Sequence, residues 1–216
     1  MITKYGYSTV IFAFIILCIL GGVSFFTNIP ILKWFLIAVG VSIFVFTVGF
    51  FRDPSRVTPQ QKNIVVSPAD GTVLFVKEVK DDRFLKAKAL QVSIFMSPLN
   101  VHVNRIPVSG KVEYLKHLEG SFFVASTDKA CEKNERSEIG ISSAFGKVLF
   151  TQVAGAVARR IVTDLKPGQQ VTIGERFGMI KFGSRVDVIV PANWKAKVNK
   201  GDKVTAAESI LFEAVQ

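Results

Sequence analysis

Ser184 is the residue of this sequence best placed to start chemistry on its own backbone. It follows Gly183 in FGMIKFGSRVDVIVP, between two β-type segments rather than in a loop of turn formers. Glycine lacks a Cβ, accepts unusual backbone angles and leaves its carbonyl open to attack. A serine hydroxyl beside it could add to that carbonyl if a base took the proton, and the product would be an ester. Elimination from the ester would release the upstream chain as a carboxylic acid and leave dehydroalanine. Reaction with water, with loss of ammonia, would then leave an N-terminal pyruvoyl group. The dipeptide alone reads more simply as a bulge in a strand. Gly120-Ser121 repeats it in what reads as an ordinary loop.

The base has few candidates, because the chain holds 2 histidines. His102 lies in SIFMSPLNVHVNRIPVSG, after a β-type segment and a Ser-Pro turn, whereas His117, among Lys116 and Glu119, reads as solvent-exposed. An imidazole titrates near pH ~6.5 and works best as a base when a third group orients it. Asp70, a short carboxylate in the tight turn of SPADGTV, is the candidate orienter. A serine, a histidine and an aspartate in three separated segments can meet as a triad by folding. A lone histidine is nonetheless more often a structural residue.

The elements that would position these residues fall into two parts. No charge occurs between Lys4 and Lys33, or between Lys33 and Arg52. The apolar runs at 7–26 and 34–51 match the ~20 residues that a helix needs to cross a bilayer. A cleaved signal peptide has a shorter apolar stretch and no second one directly behind it. A two-helix membrane hairpin within 1–56 is therefore expected, turning at Asn28 and Pro30. Arg52, Arg56 and Lys62 follow the second run, so the positive-inside rule places the remainder on the cytoplasmic side of the cell (inner) membrane.

Residues 57–216 read as a mainly β domain, compact and sandwich- or barrel-like. Short β-branched segments at 73–79, 90–95, 110–114, 147–153, 159–161, 178–182 and 186–190 alternate with Pro, Gly and Asn breakers. A short helix over 169–174 is the one exception considered. SPADGTVLFV and AKVNKGDKVTAAESILFE carry turns like those of biotinyl- and lipoyl-type sandwiches, without the lysine tripeptide that would carry a cofactor. Beyond Phe51 stand 25 basic and 17 acidic residues, a net +8, which suits anionic lipid headgroups. Nucleic-acid binding gains no arginine-rich run or aromatic signature, and Cys18 and Cys131 form no disulfide framework or metal cluster.

Four ordered motifs carry a resemblance: FFRDPSR after the apolar pair, SPADGTV, FMSPLNVHVNRIPVSG and FGSRVDVIVP. Together they resemble the phosphatidylserine decarboxylases, in the short form shared with archaetidylserine decarboxylases, over the whole chain. The resemblance implies self-cleavage between Gly183 and Ser184 into a β chain, 1–183, and an α chain, 184–216. It implies Ser184 as nucleophile and pyruvoyl precursor, with Asp70 and His102 assisting. The pyruvoyl carbonyl would form a Schiff base with phosphatidylserine and release CO2, His102 would return a proton, and phosphatidylethanolamine would leave. The longer bacterial enzymes have a second histidine three residues on, where this chain has Arg105. Arg52, Arg56 and Arg105 are candidates for substrate phosphate or carboxylate. Archaetidylserine as substrate, an uncut tethered adaptor, and assembly into a homo-oligomer stay open.

Overall fold

The charge-free runs form two antiparallel helices in the computed structural model, which describes residues 1–120, 134–155, 160–181 and 184–215. Gly183, Ser121, Cys131 and Arg159 lie outside the described residues. Two units are distinguished, Met1–Pro54 and Ser55–Gln216. In the first, a short 3-10 turn, Lys4–Gly6, leads into α1, Tyr7–Phe26, and α2 spans Pro30–Phe50. Both helices are long and apolar enough to cross a membrane. The second begins four residues before the expected Trp34. Pro30 does not make the turn but starts the helix, because the first helical position loses no N–H bond and matches proline's fixed φ. At Gly40 the helices meet closely: a Cβ there would stand 3.1 Å from Leu17 Cδ1.

The second unit is built from antiparallel strands. They are β1 (Ile64–Val66), β2 (Gly71–Asp81), β3 (Ala87–Met96), β4 (Val103–Arg105), β5 (Gly110–Leu118), β6 (Arg136–Ser143) and β7 (Gly146–Ala154). Then come β8 (Arg160–Thr163), β9 (Gln170–Val171), β10 (Arg176–Lys181), β11 (Ser184–Pro191), β12 (Lys195–Ala196), β13 (Lys203–Val204) and β14 (Ile210–Glu213). An eight-stranded sheet, ordered β13-β2-β3-β11-β7-β6-β5-β9, curls as a half-barrel. Two three-stranded sheets, β4-β10-β8 and β1-β14-β12, complete the unit. Residues 169–174 hold no helix. β-branched Val171 and Thr172 favour extended backbone, and Gln170 and Val171 pair with Lys111 and Gly110.

Alternation along β11 decides which face each residue takes. Val186, Val188 and Val190 enter the main core with Ile94, Val148 and Phe150, while Arg185 and Asp187 point to the other face. Phe150 of β7 meets Phe177 of β10 edge-on at 5.3 Å, which joins the large sheet to the β4-β10-β8 sheet. The turn motifs also meet, since Lys203 and Val204 pair with Thr72 and Gly71.

The second face carries a buried polar cluster. Glu138 accepts from Arg83 at 3.0 Å and from the Tyr114 hydroxyl at 2.9 Å. Burial pushes the Glu138 carboxyl up, but the Tyr114 and Arg83 hydrogen bonds and the Arg83 charge outweigh it and hold the group below the usual range. Burial, and then the bond to Glu138, push the Tyr114 phenol up to about 12.

Candidate active site

Ser184 opens β11 in the middle of the large sheet, with Met96 of β3 on one side and Ala154 of β7 on the other. Strand β10 belongs to the β4-β10-β8 sheet and ends at Lys181, and β11 of the large sheet begins at Ser184. The Ser184 side chain is 0% exposed, and its hydroxyl donates to the Met96 sulfur at 3.2 Å. A thioether is a weak acceptor, so this hydroxyl is dry and only lightly held.

His102 is also 0% exposed and directly precedes β4, whose Val103 pairs with Met179 of β10. Its Nδ1 lies 2.9 Å from the Asn100 carbonyl oxygen. A carbonyl can only accept, so the neutral ring carries its proton on Nδ1 and its lone pair on Nε2. Asn100 is itself fixed by the turn that the sequence marks with Ser-Pro. Its N–H donates to the Ser97 carbonyl at 2.9 Å, and its Oδ1 accepts from the Ser97 N–H at 2.8 Å. The turn therefore sets the tautomer of the histidine.

Asp70 is placed differently from the expected orienter. Its carboxylate accepts from Arg56 at 2.7 Å and from the Ala206 N–H at 2.8 Å, and neither oxygen bonds His102 among the described residues. The contact between the two motifs runs through the backbone instead, because the Pro68 carbonyl accepts from the Arg105 N–H at 2.9 Å. Arg105 is buried, and its guanidinium donates to the Gly174 carbonyl at 3.1 Å. Arg52, in the first unit, donates to Gly49 at 2.6 Å. His117 is half-exposed on β5, with Nε2 3.6 Å from Glu135.

Three residues beside the serine do not stand out by type: Met96, Asn104 and Gln152. All are fully buried. Asn104 donates to the Pro68 carbonyl at 3.3 Å and to the Met96 sulfur at 3.9 Å, and accepts from Gln152 at 2.8 Å. One signal for them existed. Thr151-Gln152 puts two polar residues in succession inside an apolar strand, which breaks the alternation of a half-buried sheet.

A mainly β unit that fully buries a serine hydroxyl and an imidazole, in a chain that also carries two helices of membrane length, is the class that these features define. A family model described as phosphatidylserine decarboxylase matches residues 43–212. A phosphatidylserine decarboxylase proenzyme of Chlorobium phaeovibrioides is 48% identical over 212 residues, covering 98% of this chain and 95% of the relative. One from Chlorobium limicola is 46% identical over 211 residues, covering 98% and 99%. One from Chlorobaculum tepidum is 50% identical over 167 residues, covering 77% of each chain. The chain belongs to the phosphatidylserine decarboxylase family, and it is a decarboxylase.

Proposed function

We propose that the chain is a proenzyme that cuts itself between Gly183 and Ser184, and that residue 184 becomes the pyruvoyl group on which phosphatidylserine loses CO2 to give phosphatidylethanolamine. The observation that carries this reading is the place of Ser184, fully buried as the first residue of a strand paired on both edges, next in order after β10 of another sheet. The surroundings fit such a group. They are dry, the neighbouring atom is a polarizable sulfur, and no charged side chain competes for the hydroxyl among the described residues.

In cleavage, the Ser184 hydroxyl adds to the Gly183 carbonyl and Nε2 of His102 takes its proton, while the Asn100 carbonyl holds the ring in that tautomer. Asp70, fixed by Arg56, contributes negative charge beside the segment that carries His102. A pyruvoyl group at residue 184 would supply a carbonyl able to condense with the substrate amine and to take up the electron pair as CO2 leaves, with water later releasing the product amine. His102 then returns a proton to the substrate carbon. Arg105 and Arg52 are assigned to substrate phosphate or carboxylate. The apolar helices hold the domain at the cell membrane, facing the cytoplasm, where the lipid substrate lies. The cut α chain stays in place because β11 pairs with both β3 and β7.

Ser184→Ala tests the reading. The variant is expected to remain one 23.8 kDa chain and to release no CO2 from phosphatidylserine. Full activity in an uncut chain would end the proposal. Assays with phosphatidylserine and its ether-linked archaetidyl counterpart decide which lipid is preferred.

A further inference from the structure

Gln152 carries a buried acceptor that no group among the described residues meets. Its side chain is 0% exposed, and no donor reaches Oε1 among the described residues. Which of its two terminal atoms is the oxygen follows from a chain of obligatory roles. The Pro68 carbonyl can only accept, so the Asn104 group 3.3 Å from it is the amide NH2. The Asn104 oxygen then faces Gln152 at 2.8 Å and can only accept, so Gln152 presents its own NH2 there. The Gln152 oxygen is left as a fixed acceptor: flipping Gln152 alone breaks its bond to Asn104, and flipping both breaks the Asn104 bond to Pro68. A buried, unmet acceptor is costly, and its location gives a reason for the cost.

Gln152 lies across from Val186, and its strand neighbour on the same face, Ala154, lies across from Ser184. Gln152 and Ser184 are thus diagonal neighbours on one face, ~7–8 Å apart by sheet geometry and within reach of a long side chain. The link through Asn104 Nδ2 and the Met96 sulfur, at 3.9 and 3.2 Å, ends on the Ser184 hydroxyl. An acceptor so placed suits a ligand that brings N–H, and it repels a carboxylate or phosphate oxygen. We propose that Gln152 Oε1 recognises the substrate's amine, accepting its N–H as the nitrogen reaches residue 184, and that Asn104 is the positioning residue that aims it. This rests on the pyruvoyl reading above.

The test uses the full-length chain in detergent, as wild type, Gln152→Leu and Gln152→Met, with intact mass as the readout. Self-cleavage is expected in both variants, since Gln152 is assigned to the substrate and not to the cut. Hydroxylamine, neutral near physiological pH, should add to the 184–216 chain of the variants as it does to wild type. Capture of phosphatidylserine on that chain by cyanoborohydride should fall by about 10- to 100-fold, the usual worth of a buried bond to a charged group. Undiminished capture would overturn the proposal, and so would failure of both variants to cleave or fold. Asn104→Ala should give a smaller loss of capture; a normal Gln152→Leu beside an impaired Asn104→Ala would also refute the assignment. Absence of a hydroxylamine adduct on wild type would instead remove the pyruvoyl reading.

Discussion

Truncating Phe212 probes how the two halves of a cut chain hold together. Phe212 is 0% exposed on β14, where it pairs with Val65 of β1 and Ala196 of β12, and it lies in the 184–216 segment. Emptying such a site by Phe→Ala costs about 3–5 kcal/mol in lost transfer energy plus a cavity. In an uncut Ser184→Ala background, that cost should appear whole as lower unfolding free energy in urea. In a chain cut at Gly183–Ser184 the contact with Val65 would lie between chains, while that with Ala196 would stay within the α chain. The loss would then reach at most about two to four orders of magnitude in the affinity of the α chain, at ~1.4 kcal/mol per decade. Native mass spectrometry across a dilution series measures it. Wild type should keep the α chain throughout, because β11 is hydrogen-bonded on both edges. Phe212→Ala should shed it at dilutions where wild type does not. Equal retention, together with an unchanged urea midpoint, would refute the idea that the β1-β14-β12 sheet helps to clamp the α chain.

Three further outcomes follow from the same geometry. His102→Gln should slow self-cleavage by about 100-fold or more, the usual contribution of a positioned general base; mass-resolved cleavage time courses would detect a normal rate. Gly71→Ala should destabilise the β domain by about 1–3 kcal/mol, read by thermal unfolding, because the new Cβ would overlap the Phe95 carbonyl oxygen of a paired strand. Tyr114 has a folded pKa raised to about 12, so its contribution is present below its ordinary value near 10 and is lost as pH rises toward 12. Glu138 and Asp81 are held low, so theirs is lost as pH falls through their folded values. Tyr114→Phe should therefore flatten the alkaline limb of a stability–pH curve and, because its hydroxyl also helps to hold Glu138 low, shrink the Glu138 share of the acid limb while leaving that of Asp81.

Much of this architecture is written in local pattern. Charge-free runs of membrane length are sufficient to mark α1 and α2, and β-branched alternation marks β2, β3, β7 and β11. What escapes is set by partners far away in sequence. Strand β4 is three residues, Val103–Arg105, with too little length to show a period, and it exists because β10 pairs with it. Pro30 starts α2 rather than turning the chain, and β-branched Val171 and Thr172 keep residues 169–174 from forming a helix, both local effects. At the site, Ser184 and His102 stand out by residue type. Asn104 and Gln152 do not, because a carboxamide in a strand reads as outward-facing until the opposing sheet buries it. The Arg56–Asp70 pair is likewise invisible in sequence, as it joins a loop and a turn that only folding brings together.

Conversion of Ser184 is tested most directly by the intact mass of the wild-type protein in detergent. Two chains are expected, the smaller beginning at residue 184 with a pyruvoyl group in place of serine. A single unmodified chain of 23.8 kDa that nevertheless decarboxylates phosphatidylserine would contradict it.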